Sequence, residues 1–110
     1  MLIYIVGPYD APTPEGIQAN VDRAVAAGIQ LMLKGHTVIC PHSMTHGWDL
    51  DTGLNRSDFM HNCLTIVSRV DAICLLEGWH DSRGSLDEHE EAIRRGNIIY
   101  HGTDEVPDVL

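Results

Sequence analysis

The sequence predicts one α/β domain: a doubly wound, flavodoxin- or Rossmann-like parallel sheet of about four strands, in probable order 2-1-3-4. Three observations predict it. Short β-rich apolar runs alternate with stretches of helical periodicity along the chain. One run, VDAICLL at 70–76, is almost continuously apolar, as a strand covered on both faces must be. The length, 110 residues, suits one core and one domain spanning 1–110.

The elements follow in order. LIYIV at 2–6 is the first strand, ended by Gly7-Pro8. Thr13-Pro14-Glu15 reads as an N-cap, a proline in the first helical position and an acid in the first turn. Ile17, Val21, Ala24, Val25, Ile29 and Met32 then recur at helical spacing, and Gly35 stops that helix. HTVIC at 36–40 is the second strand, and residues 41–55 form a long irregular loop. A second helix starts at Ser57 and places Met60, Cys63, Leu64 and Val67 on one face. The third strand is 70–76, the third helix runs from about Ser85 to Arg95, and IIYH at 98–101 is the fourth strand. Helical crossovers between strands impose a parallel sheet.

Composition excludes several classes. The net charge of -9, with only 7 Lys plus Arg, is the wrong balance for a nucleic acid polymer. No apolar run approaches the ~20 residues that span a bilayer, so no membrane partner is expected. Three cysteines, far apart and without a CxxC pair, point to a reducing, cytoplasmic setting and away from a zinc ribbon or disulfide framework.

Ligands of doubly wound sheets bind at the carboxyl ends of the strands, near the switch between the first and third. Three loops lie there: Gly7 to Thr13, Pro41 to Asn55, and Glu77 to Ser85. In the first, Tyr9 and Asp10 stand beside the switch point and Gly7 permits close backbone approach to a ligand. The bland alternative is a turn whose glycine and prolines only redirect the chain. Dinucleotide and P-loop glycine motifs are absent, so no cofactor is expected. In the second, His42 and His46 are four apart but bracketed by Pro41 and Gly47, with no third ligand, so no metal is expected. They either bond to the backbone or, with Trp48, line a pocket for a planar ring.

The third loop leads into WHDSRGSLDEHEEAIRRGN, where Asp87, Glu88, Glu90 and Glu91 crowd together. Ser85-x-x-Glu88 reads as a capping box, and acids near a helix start favour the macrodipole. Leu86, His89 and Ile93 share one helical face, with Glu88 pointing elsewhere. Taken alone, this is a solvated helix start. Periodicity gives no reason to prefer Glu88 over Glu90.

The pattern GPY, then CPHxxTHGW, then VDAICLLEGWxxSRGxxxExxxAxxxG resembles the nucleoside 2-deoxyribosyltransferase-like superfamily, and looks closest to its small, phage-type members. The likeness runs from Ile3 to about Ile99, and is most specific at Ser82, Gly84, Glu88, Ala92 and Gly96. It implies that Glu88 is a nucleophile that forms a covalent glycosyl ester at an N-glycosidic bond, with Tyr9 hydrogen-bonding or orienting it. It also implies a sugar pocket shaped by Gly7 and Pro8. His42, His46, Trp48 and Trp79 are candidates to surround the base.

Ser82, six residues before Glu88, stands where the family's nucleoside-specific transferases tend to carry an aspartate and the related nucleoside 5'-monophosphate N-glycosidases a serine. Together with Ser85, Arg83 and the backbone at Gly84, it implies a nucleotide phosphate at a helix start; the alternative is an ordinary loop serine. One position departs from the family. The aspartate usual on the second helix is Cys63 here, preceded by Asn62; either Asn62 takes the sugar-positioning role, or the activity is weak, altered or absent. Asp71, at a strand start, reads as structural. The same likeness, with the small size of the sheet, implies a homodimer or larger assembly packed through the first two helices. The alternative to an enzyme is a nucleotide-binding or interaction domain that keeps the pocket without turnover.

Overall fold

A computed structural model describes residues 1–109. It shows a four-stranded, all-parallel sheet in order β2-β1-β3-β4, formed by β1 (Leu2–Val6), β2 (Thr37–Ile39), β3 (Ala72–Leu75) and β4 (Ile98–His101). The helices are α1 (Pro14–Leu33), α2 (Pro41–Met44), α3 (Arg56–Val67) and α4 (Arg83–Arg95), with short 3-10 turns at Trp79–Asp81 and Thr103–Glu105. The fold class and strand order are those the sequence predicts.

Central β1 sets the two cores. Its side chains alternate between faces with the period of two that a pleated strand imposes. Ile3 and Ile5 join Ala24, Ala27 and Leu31 of α1, together with Ala72, Cys74 and Val106. Tyr4 and Val6 face the other way, into a cluster with Val67, Val70, Ile73, Leu75 and Ala92. Each fully buried aliphatic side chain there contributes roughly 1.5–3 kcal/mol. Tyr4 is fully buried as well, so its hydroxyl must find a partner on the α3–α4 side.

Helix α1 begins as expected, with Thr13 Oγ1 accepting from Gly16 N at 3.1 Å and proline in the first turn. Its inward face differs from the expected one. Asn20, Val21, Ala24, Ala27, Gly28 and Leu31 turn to the sheet, while Ile29 and Met32 are exposed. Small residues let the helix lie close: a Cβ on Gly28 would meet Ile5 Cδ1 at 3.3 Å. The loop expected at 41–55 contains α2, a single helical turn opened by Pro41. Helix α3 begins at Arg56, because Asn55 caps it in a reciprocal box with Asp58. Asp71 is structural: its Oδ2 accepts from Leu2 N at 2.8 Å and ties β3 to the start of β1.

Helix α4 corrects two expectations. Its N-cap is Ser82, whose Oγ accepts from Ser85 N at 3.3 Å, so Ser85-x-x-Glu88 is not a capping box. Glu88 lies in the second turn, too far along to cap. The inward face carries Ser85, Glu88, Glu91 and Ala92, while Leu86 and Ile93 are exposed. The helix turns its polar stripe inward, the reverse of the usual arrangement.

Candidate functional site

A cleft of about 820 Å³ opens at the carboxyl ends of the strands. Its walls come from all three loops singled out in the sequence: Gly7–Asp10 after β1, the α2 region with Asn55–Arg56, and Gly78 with Asp81–Ser85 after β3. Phe59, Met60 and Cys63 of α3 form an additional wall, and Glu88 of α4 reaches in.

Glu88 is the chemical centre of this cleft. It is only 7% exposed, and the Tyr4 hydroxyl donates a hydrogen bond to its Oε2. Burial pushes its carboxyl up to about 7, against the lowering effect of the Tyr4 hydrogen bond and with a further raising effect of Asp87. Tyr4 is held well above its ordinary value by burial and by the adjacent Glu88 charge. Burial likewise raises the Cys63 thiol, which faces the same pair. A carboxyl that titrates near neutrality inside a cleft suits both proton transfer and nucleophilic attack. Its neighbours differ from it. Glu90 is exposed, and Glu91 is clamped by Arg94 and Arg95 at 2.8 Å each, the Arg95 hydrogen bond holding its carboxyl low.

Ser82, Arg83, Gly84 and Ser85 surround the start of α4, where first-turn amides lack helical acceptors. Ser85 is 1% exposed, and its Oγ has no hydrogen-bond partner. Gly84 has a packing reason for its identity, since a Cβ there would lie 3.3 Å from Met60 Sδ. Gly7 does too: its Cβ would lie 3.1 Å from Leu76 Cβ, so the absent side chain accommodates the protein itself.

His42 is buried on the α2 wall. Its Nε2 lies 3.0 Å from Gly7 O and 3.1 Å from Pro8 O, and its Nδ1 has no partner. Among the described residues, His42 Nδ1 and Ser85 Oγ are the buried side-chain polar atoms left unpaired, and both residues line this cleft. Buried polar groups are ordinarily satisfied, so the two unpaired atoms set the walls of this cleft apart from the rest of the described residues.

The cleft thus gathers Glu88, Gly7, Pro8, Tyr9, His42, Ser82, Arg83, Gly84 and Ser85 of the residues expected from sequence. The hydrogen bond to Glu88 expected from Tyr9 is made by Tyr4. Tyr9 sits on the loop beyond β1, and its hydroxyl is 2.8 Å from His46 Nδ1. His46 is exposed and lies behind Tyr9, outside the cleft lining, and Trp48 is 54% exposed. Trp79 packs on His89, ring centroids 4.6 Å apart, and against the Tyr4–Val6 cluster, and it is not among the residues lining the cleft. Asn62 is exposed, and Cys63, its neighbour on α3, lines the cleft in its stead. Tyr4, Arg56 and Phe59 are site residues that sequence reasoning missed. Only the alternation of β1 carried a signal for Tyr4, since it sends residue 4 to the opposite face from Ile3 and Ile5.

Fold and cleft define a compact Rossmann-like α/β domain with a buried, tyrosine-held carboxyl at its strand ends. The chain belongs to the family described as Domain of unknown function (DUF4406), whose profile matches residues 1–100. Comparison with curated proteins gives no match. No helix among the described residues is long and apolar enough to cross a membrane.

Proposed function

We propose that the protein cleaves the N-glycosidic bond of a nucleoside 5'-monophosphate through a covalent glycosyl-Glu88 intermediate, as its resemblance to the nucleoside 2-deoxyribosyltransferase-like superfamily implies. The observation that carries this reading is Glu88: a buried carboxyl in a ligand-sized cleft, with one oxygen held by Tyr4 and its pKa raised to about 7. In its ionised form Glu88 attacks the anomeric carbon. The carbon–nitrogen bond breaks, its electron pair goes to the base nitrogen, and the base leaves after taking a proton. Water then attacks the anomeric carbon of the glycosyl ester. Its carbon–oxygen bond breaks, the Glu88 carboxylate is regenerated and the free sugar phosphate departs, with one proton released. Transfer to a second base differs only in the acceptor.

Supporting the phosphate are the α4 start, the hydroxyls of Ser82 and Ser85, and the guanidiniums of Arg83 and Arg56 along the cleft. The three free thiols fit a reducing, cytoplasmic setting. Exposed Ile29, Met32 and Leu33 on α1 support packing against a second copy.

One observation favours the second reading, a nucleotide-binding domain without turnover. Asn62 is outside the cleft, and the residue lining it is Cys63, whose raised thiol replaces no carboxylate. Incubation with nucleosides and their 5'-monophosphates, followed by chromatography for free base, decides between the two. Release of base from a monophosphate supports the enzyme. Tight binding without release from any substrate supports the binding domain.

A further inference from the structure

The loop after β1 is held from behind. Four consecutive carbonyls, those of Gly7, Pro8, Tyr9 and Asp10, each meet a side-chain nitrogen. His42 Nε2 serves the first two from α2. Asn20 Nδ2 serves the others from α1, donating to Tyr9 O at 2.9 Å and to Asp10 O at 3.4 Å. All four loop residues line the cleft, whereas Asn20 does not. Asn20 lies on the sheet-facing side of α1 and is only 8% exposed. An amide there takes the place of an apolar side chain on a packing face, which is tolerated only when its polar atoms are paired.

The orientation of the amide is fixed. Arg23 Nη2 donates to Asn20 Oδ1. A guanidinium only donates and a carbonyl only accepts, so the amide oxygen faces Arg23 and the amide nitrogen faces the loop. The reverse orientation would set hydrogen against hydrogen and lone pair against lone pair. From the residue anchored in this way, the Tyr9 hydroxyl lies 2.8 Å from His46 Nδ1 on the segment after α2. One buried side chain of α1 therefore sets the wall after β1 and, through Tyr9, its tie to the second loop.

We propose that Asn20 is a positioning residue of the cleft, acting through the Tyr9–Asp10 backbone it holds and not on the ligand itself. Its hold on the loop stands on the geometry; its service to a nucleotide rests on the reading of the cleft given above.

The test is Asn20→Asp, which keeps the size of the side chain and its pairing with Arg23 but sets a carboxylate oxygen against the two carbonyls. Nitrogen-15 NMR of His46 reads the loop without any ligand. Tyr9→Phe deletes the hydroxyl and gives the displacement of the His46 Nδ1 resonance when the tie is broken. Asn20→Asp should move that resonance in the same direction, although Asn20 makes no hydrogen bond to His46. Ala26→Gly, at an exposed position of the same helix, lowers stability through helix propensity alone and should leave the resonance in place. Arg23→Met removes only the donor that orients the amide and should give a smaller displacement the same way; it decides the matter should Asn20→Asp fail to fold. In parallel, calorimetry with adenosine 5'-monophosphate should show about 10-fold weaker binding to Asn20→Asp than to the wild type. A wild-type His46 resonance in the folded variants, an equal displacement in Ala26→Gly, or an unchanged affinity for the monophosphate overturns the assignment. No binding of the monophosphate to the wild type removes the nucleotide reading alone, and the His46 resonance then decides for Asn20.

Discussion

The Tyr4 hydroxyl donates to Glu88 Oε2 across 84 residues of sequence, joining the central strand to the second turn of α4. The contact orders one carboxyl oxygen; in the proposed reaction the other, Oε1, is the attacking atom. It also opposes the desolvation that raises the Glu88 pKa, because a donor stabilises the carboxylate more than the acid. Tyr4 therefore acts as a positioning and tuning residue. Two measurable effects follow from its removal.

Tyr4→Phe keeps the ring in its core cluster and removes only the donor. Without that hydrogen bond the Glu88 pKa should rise above its value of about 7. If the ionised carboxylate is the reactive form, kcat/KM of the wild type should increase with pH through about 7 and level off above it. In Tyr4→Phe the same midpoint should move to higher pH, with lower activity at neutrality and partial recovery in alkali. A fall in activity with an unmoved midpoint would leave Tyr4 a purely structural role.

Stability should carry the same signature. The folded-state pKa of Glu88, about 7, lies above the ordinary 4.5, so the fold favours the protonated acid. This contribution is fully present below about 4.5 and is lost as pH rises through about 7, amounting to about 3 kcal/mol in alkali. Glu88→Gln, permanently neutral, should remove this loss. Urea unfolding at pH 5 and pH 9 should show wild-type stability declining between them by more than that of the variant. Parallel declines would mean that the carboxyl is not perturbed by burial.

The strand order, both flanking layers and the three site loops were legible because each rests on strong local signals. VDAICLL declares a buried strand, and Thr13-Pro14 declares a helix start. The faces of α1 and α4 were not legible. Hydrophobic periodicity assumes that the largest apolar residues point inward, yet α1 packs on Ala24, Ala27 and Gly28 while Ile29 and Met32 face out. On α4 the rule inverts, because the inward stripe faces the cleft and carries Ser85 and Glu88. Local rules fail most readily at functional sites, where structure serves the ligand as well as the core. Tyr4 was hidden for a related reason: its ring reads as core, and only its hydroxyl meets Glu88.

Phosphate recognition at the α4 start has its own consequence. Ser85 lines the cleft at the α4 start and its Oγ has no partner, so in the proposed phosphate site a turn of its side chain toward the cleft would supply a hydroxyl donor. A 5'-monophosphate should bind about 10-fold more tightly than its nucleoside, and Ser85→Ala should remove most of that difference. Calorimetry with the matched pair measures both. Equal affinities in the wild type would return the site to unphosphorylated nucleosides and to the transferase reading.

The decisive substitution is Glu88→Gln, compared with Glu90→Gln and Glu91→Gln on the same helix. An amide preserves the size of the side chain, and its oxygen still accepts from Tyr4, so the fold and ligand affinity should persist. It cannot form the glycosyl ester, so turnover should fall by several orders of magnitude. Glu90 is exposed, and its replacement should change stability by no more than about 0.5 kcal/mol, with turnover near wild type. Glu91→Gln weakens the pairs with Arg94 and Arg95 without touching the cleft lining, so any loss there should appear in melting temperature and not in turnover. Mass spectrometry of the wild type quenched during turnover should then find a glycosyl adduct on the peptide containing Glu88, and none in Glu88→Gln. Near-normal turnover in Glu88→Gln, or its abolition by Glu90→Gln, would remove Glu88 as the nucleophile and leave the cleft as a site for binding alone.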